Sequence, residues 1–143
     1  MFQTKAEIFI NRSIEDVYKF IADNENDPRW CVPVIETDRI IGDAPGANTR
    51  YSFASKAGLF KLRGEFQIIE FEPSERIAWE GQSSINQFTG EYKLSKEGGG
   101  TRLIETSTFR AKGILQLFEI SMTREIEASL TRQLQNLKQI LEE

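Results

Sequence analysis

Residues 113–143 read GILQLFEISMTREIEASLTRQLQNLKQILEE. Leu115, Phe118, Met122, Ile126, Leu130, Leu134, Leu137 and Leu141 recur at intervals of three or four, which places one apolar stripe along a helix. No Pro or Gly interrupts the run after Gly113, so the spacing predicts a single helix over Ile114–Glu143, about 40 Å long at ~1.5 Å per residue. A rod of that length exceeds the diameter of a small domain. It must therefore lie along whatever the preceding residues build.

Working back from Gly113, the hydrophobic period changes from helical to two. Thr101–Lys112 alternates Leu103, Glu105, Ser107 and Phe109 against Ile104, Thr106, Thr108 and Arg110. Gly98-Gly99-Gly100 closes a hairpin onto Phe88, Gly90, Tyr92 and Leu94, which alternate with Gln87, Thr89, Glu91 and Lys93. Ile77 and Trp79 alternate with Ala78 and Glu80, and Glu72-Pro73-Ser74-Glu75 is a turn. The long alternation of Phe60, Leu62, Gly64, Phe66 and Ile68 slips at Ile69, which predicts a bulge. Ala57-Gly58 is the turn before it, preceded by strands over Thr49–Ala54 and Ile35–Ile41. Between Ala22 and Pro33 the chain is polar, with one short helical turn expected near Asp27–Trp30. Ser13 caps a first helix over Ile14–Ala22, with Glu15 and Asp16 in its first turn, and a strand over Gln3–Asn11 opens the chain.

The order is strand, helix, about six strands, long helix, with no βαβ unit, repeat or linker. It predicts one α+β domain over residues 1–143 in which an antiparallel meander curves around the C-terminal helix. The 10 Phe residues, against 3 Tyr and 2 Trp, mean large apolar inward surfaces.

The net charge of −4 and the scattering of Lys and Arg among acidic residues argue against nucleic-acid binding. No His is present and Cys31 is the single cysteine, so a His-ligated metal, a His-activated nucleophile and an internal disulfide are all excluded. No phosphate loop occurs, and neither a cofactor nor a metal is expected. With Lys5 and Glu7 near the start and no apolar run of spanning length, a cytoplasmic chain that does not cross a membrane is expected.

Particular residues in this order resemble the helix-grip (START-like) superfamily, which includes START lipid-transfer domains, plant pathogenesis-related proteins of the birch-pollen-allergen type and bacterial polyketide cyclase/dehydrase-like proteins. They are the opening strand leading into Ser13–Asp23, Trp30 in the following loop, Phe71–Trp79, Gly90–Leu94 and Gly98–Leu103. The chain is most similar to the polyketide cyclase/dehydrase-like branch. The resemblance implies a cavity between sheet and C-terminal helix, and members that bind, cyclise, hydrolyse or dehydrate.

By strand parity Tyr51, Phe53, Phe66, Trp79, Phe88, Tyr92 and Phe109 face inward, either packing a dry core or lining a pocket. Tyr51, Trp79 and Tyr92 carry polar atoms that need partners when buried, which favours a pocket. Glu105 shares the parity of Leu103 and Phe109. It is read as lying on the rim, where it stays wet, or else as a cavity acid with a raised pKa. Met122 lies on the helix stripe that opposes the sheet, Ser129 and Gln133 lie beside that stripe, and Trp30 is a plug or an entrance lid. The expected ligand contacts are thus Tyr51, Trp79, Tyr92, Glu105, Met122 and Ser129. The expected partner is a small hydrophobic molecule such as a lipid, isoprenoid, quinone or aromatic polyketide, and a homodimer stays open. Binding, cyclase or dehydratase chemistry through Glu105 or a Tyr, and a protein-interaction module with a filled core are the three functions compatible with the residues.

Overall fold

In the computed structural model, which describes residues 1–57 and 59–143, seven antiparallel strands form one sheet in the order β1-β7-β6-β5-β4-β3-β2. The strands are β1 (Phe2–Ile10), β2 (Val34–Ile41), β3 (Arg50–Ala57), β4 (Phe60–Glu72), β5 (Arg76–Ser83), β6 (Asn86–Glu97) and β7 (Gly100–Ala111). Only β1 departs from a simple meander: it crosses over to pair with β7, from Phe2 opposite Phe109 to Ile10 opposite Thr101. Helix α1 (Ile14–Ala22) follows β1, and α2 (Glu119–Glu142) ends the chain. The expected turn at Ala57-Gly58 includes Gly58, which lies outside the described residues.

Local chemistry accounts for the boundaries. The Ser13 hydroxyl accepts from the Asp16 amide and starts α1, which buries Ile14, Val17, Tyr18 and Ile21. The bulge expected at Ile69 falls between Ile68 and Glu70, where β4 slips one residue against β5 and turns Ile69 outward. The helical turn expected at Asp27–Trp30 is a 3-10 helix over Asn24–Arg29, started by the Asp23 carboxylate accepting from the Glu25 amide.

The C-terminal helix differs from expectation in two ways. Residues Gly113–Phe118 form a 3-10 helix, and the α-helix begins only at Glu119. Neither Lys112 nor Phe118 supplies a side-chain cap, and the Glu119 carboxylate instead accepts from the Ala111 amide and the N-terminal ammonium. The stripe also grips with only half its length. Leu130, Leu134, Leu137 and Leu141 are buried in one core with Ala6, Ile10, Val17 and Leu103. Leu115, Met122 and Ile126 are half-buried, and Phe118 is exposed. The two hydroxyl- and amide-bearing residues beside the stripe, Ser129 and Gln133, donate to the Val32 carbonyl and tie α2 to the loop before β2.

At the end of the sheet away from this seam, the β3–β4 turn and the approach to α2 expose Leu59, Phe60, Ile114, Leu117 and Ile120. Helix energetics should follow this division. Leu137→Ala should cost about 2–5 kcal/mol in urea unfolding, and Leu117→Ala less than about 0.5 kcal/mol. Equal costs would contradict a seam confined to the C-terminal half.

Candidate functional site

The register sets the inward side chains in rows across the sheet. One row runs Tyr51, Phe66, Gly81, Phe88, Phe109 and Phe2. The next runs Ile68, Trp79, Gly90, Ser107 and Thr4, and the third Ile77, Tyr92, Glu105 and Ala6. Glycine in the second row has a direct cause. A Cβ on Gly90 would sit 2.3 Å from Cζ2 of Trp79, so only a bare backbone lets that indole lie over β6. The Trp79 ring then meets Tyr92 at 4.6 Å between centroids, and Tyr92 meets Trp30 at 6.2 Å. Phe53 joins Phe66 and Phe88 at 6.0 and 5.9 Å. These rings wall the concave face without filling it.

Two adjoining cavities remain under the rings, with Phe53, Trp79 and Phe88 common to both. The larger, about 320 Å³, reaches Glu105, Ser107 and Leu130. The smaller, about 150 Å³, ends on Asn24, Asp27 and Thr37. Together they make a lumen on the concave face of the sheet, met by α2 at Leu130, largely apolar along its walls and holding buried carboxyls at two places.

Both polar places are carboxyls withdrawn from water. Glu105 is 4% exposed, so the rim position that parity allowed is not the one it takes. The sheet curves enough to close over it. Its Oε2 has no hydrogen-bond partner, and burial, helped by the Asp27 carboxylate, pushes its pKa up to about 8. Asp27 is 9% exposed. Its Oδ2 accepts from Asn24 Nδ2 at 3.2 Å, its Oδ1 is unpartnered, and burial pushes its pKa up to about 8 against the pull of that hydrogen bond. Burial raises the Tyr92 phenol well above its usual value, with Glu105, Cys31 and Asp27 adding to the effect. The Cys31 thiol is raised by burial and by the same two carboxylates, so it is not a poised nucleophile. Four titratable groups thus sit within electrostatic reach of one another around one lumen.

Among the six expected ligand contacts, the structure brings Trp79, Tyr92 and Glu105 to the lumen. Tyr51 is fully buried and stacks on Phe66 at 5.1 Å, behind the cavity wall. Thr49 and Arg39 approach its hydroxyl, but geometry gives it no hydrogen-bond partner, and burial raises its pKa. Met122 is half-buried and lines neither cavity. Ser129 borders an outer groove with Val32, Pro33 and Ile126. Trp30 is fully buried, a plug rather than a lid. Asn24, Asp27 and Thr37 were not expected at a site. Their one sequence signal is the Asp23-Asn24 start of a capped turn, which does not reveal that the turn closes the end of a barrel-like sheet. Among the described residues no three His, Cys, Asp or Glu side chains come together as a metal site, and no helix is long and apolar enough to cross a membrane.

The two acids make stability depend on pH with a definite sign. Their ordinary values are 3.8 for Asp and 4.5 for Glu, and the fold raises both to about 8. Between those limits the folded chain holds protons that the unfolded chain has released, so stability falls as pH rises. The benefit is complete below the ordinary values and lost through about pH 8. Carboxylates paired with arginine on the surface, such as Glu97, are lowered and titrate below this window. Unfolding free energies from urea titration should therefore fall from about pH 5.5 towards 8, by up to about 1.4 kcal/mol per pH unit for each acid. Glu105→Gln should flatten the slope, and an unchanged slope would contradict the buried, protonated acid.

The family model described as "Polyketide cyclase / dehydrase and lipid transport" matches residues 1–142. No curated protein sequence matches. Among solved structures, TTHA0849 from Thermus thermophilus superposes with a TM-score of 0.84 at 20% identity, over 96% of this chain and 95% of that one. The Zhui aromatase/cyclase from Streptomyces sp. R1128 superposes with 0.79 at 13% identity, over 99% and 93%. Ara h 8.0201 gives 0.75 at 11% identity, over 98% and 97%. These identities carry the helix-grip fold and nothing finer. With the curved sheet, the long C-terminal helix and a family match along almost the whole sequence, the chain belongs to the polyketide cyclase/dehydrase and lipid-transport family.

Proposed function

We propose that this protein binds a small, largely apolar, ring-bearing molecule in the lumen between sheet and α2. The observation that carries the reading is the aromatic wall of Phe53, Trp79, Phe88 and Tyr92 around space it does not fill, with buried polar groups set into it. A dry core would close that space, since each lost contact forfeits dispersion energy. It would also strand Asn24 Oδ1, Asp27 Oδ1, Thr37 Oγ1 and Glu105 Oε2 at about 1–3 kcal/mol each. A bound molecule repairs both losses. The exposed Leu59 and Phe60 follow Lys56 of the larger cavity's lining in the same hairpin, a fitting entrance for a ligand poorly soluble in water.

The neutral fluorophore N-phenyl-1-naphthylamine tests this directly. It should bind with enhanced emission and quench tryptophan fluorescence, and Trp79→Ala should weaken it about tenfold, roughly 1.4 kcal/mol. Absence of binding would remove the reading and leave a filled-core interaction module in its place.

A second reading is favoured by one observation: two carboxyls with pKa values near 8 and a tyrosine share the lumen. Such groups can hold a proton near neutral pH and exchange it with a bound carbonyl compound, as cyclisation and dehydration require. Under this reading Glu105 is the acid–base group. Glu105→Gln would lower turnover of a poly-β-ketone thioester mimic by about 10²-fold or more, while leaving fluorophore binding intact. No turnover by the parent protein would restrict the function to binding.

A further inference from the structure

We infer that the ligand of this lumen carries a protonated amine, received at the end formed by Asn24, Asp27 and Thr37 and enclosed by aromatic rings. The inference rests on the cavity reading above and is independent of the acid–base reading. It starts from which atoms lack partners. Asn24 Oδ1, Asp27 Oδ1, Thr37 Oγ1 and Glu105 Oε2 are all buried oxygens with no hydrogen bond. The Asn24 amide is oriented by its Nδ2, which donates to Asp27 Oδ2 at 3.2 Å and leaves the acceptor oxygen free. The Asn24 oxygen can only accept, and an ammonium brings three N–H donors that it and its neighbouring oxygens can share. A carbonyl oxygen placed there would face Asn24 Oδ1 oxygen to oxygen.

Charge points the same way. The charged side chains buried among the described residues are Asp27 and Glu105, and no Lys or Arg is buried with them. Lys56, the one basic residue on the larger cavity's lining, is exposed at its mouth. An anionic ligand would enter without a counter-charge, which a low-dielectric site penalises heavily. A cation finds Asp27 directly, Glu105 in the adjoining cavity, and around it the rings of Trp79, Phe88 and Tyr92, whose quadrupoles can attract positive charge within about 6 Å. The carboxyls are also poised for it. An acid titrating near 8 favours its protonated form only about tenfold at neutral pH. A neighbouring ammonium outweighs that margin. The ligand-free protein thus keeps both acids neutral, and the amine draws out the charge that binds it.

Three indoles of similar size separate charge from shape: tryptamine, 3-ethylindole and indole-3-acetate. Calorimetric titration of the full chain at pH 7.5 should give tryptamine an affinity at least about tenfold above 3-ethylindole, with indole-3-acetate weakest. Asp27→Asn should bring tryptamine down to the level of 3-ethylindole and leave 3-ethylindole unchanged. If that variant does not fold, Thr37→Val should reduce tryptamine severalfold with 3-ethylindole again unchanged. Equal or tighter binding of 3-ethylindole or indole-3-acetate overturns the amine while leaving the cavity standing. So does binding of N-phenyl-1-naphthylamine with none of the indoles. An unaltered tryptamine preference in a folded Asp27→Asn protein also overturns the assignment. If neither the naphthyl probe nor any indole binds, the cavity reading itself has failed.

Discussion

The architecture depends on the seam where Leu130, Leu134, Leu137 and Leu141 of α2 enter the core beside Ala6, Ile8 and Ile10 of β1. That contact joins the two ends of the chain, because β1 has already crossed the sheet to pair with β7. With the helix fastened along one half, the sheet must arch over the rest of it. The arch buries Glu105 from β7 and brings the Asn24–Arg29 turn up to the far side. The lumen is therefore the space left where the sheet curves away from the core that α2 fills. From α2 it is Leu130 that lines the larger cavity.

Inside the lumen the chain holds groups that cost stability. Two acids without counter-charges, an asparagine oxygen and a threonine hydroxyl are enclosed by rings that give them nothing to bond. Leucine or valine at those positions would make a more stable core. Local rules broken together, in one place, around space, are where function is expected to override packing. The same physics limits what the site can take. Buried neutral acids respond to a cation or exchange a proton, and with no Lys or Arg buried beside them an anion finds no counter-charge.

Much of the fold was legible because its signals are local. Helix α1 follows from Ser13 and its apolar spacing, the bulge from the parity slip at Ile69, and the meander from β2 to β7 from short turns between alternating runs, whereas the pairing of β1 with β7 leaves no local signal. Trp79 and Tyr92 could be placed on the concave face by counting in twos. What parity cannot give is depth. Glu105 and Phe109 share a face, yet whether a carboxylate there is wet depends on how far the sheet curves, a property of all seven strands together. Periodicity likewise could not show that the α2 stripe is fully buried only from Leu130 onward, nor that Met122 lies off the cavity, nor that Tyr51 stacks behind Phe66. Asp27 was hidden for a different reason: a polar residue in a Pro-containing turn reads as surface, and only the tertiary fold turns it inward.

The central claim is that Asp27 and Glu105 are held protonated in a lumen shielded from water, and carboxyl carbon NMR titration addresses it most directly. With the two resonances assigned through Asp27→Asn and Glu105→Gln, the account predicts that both carboxyls titrate with midpoints near 8 in the ligand-free protein. Midpoints near the ordinary 3.8 and 4.5 would mean that water reaches both groups freely, and would contradict the enclosed site on which the functional reading stands.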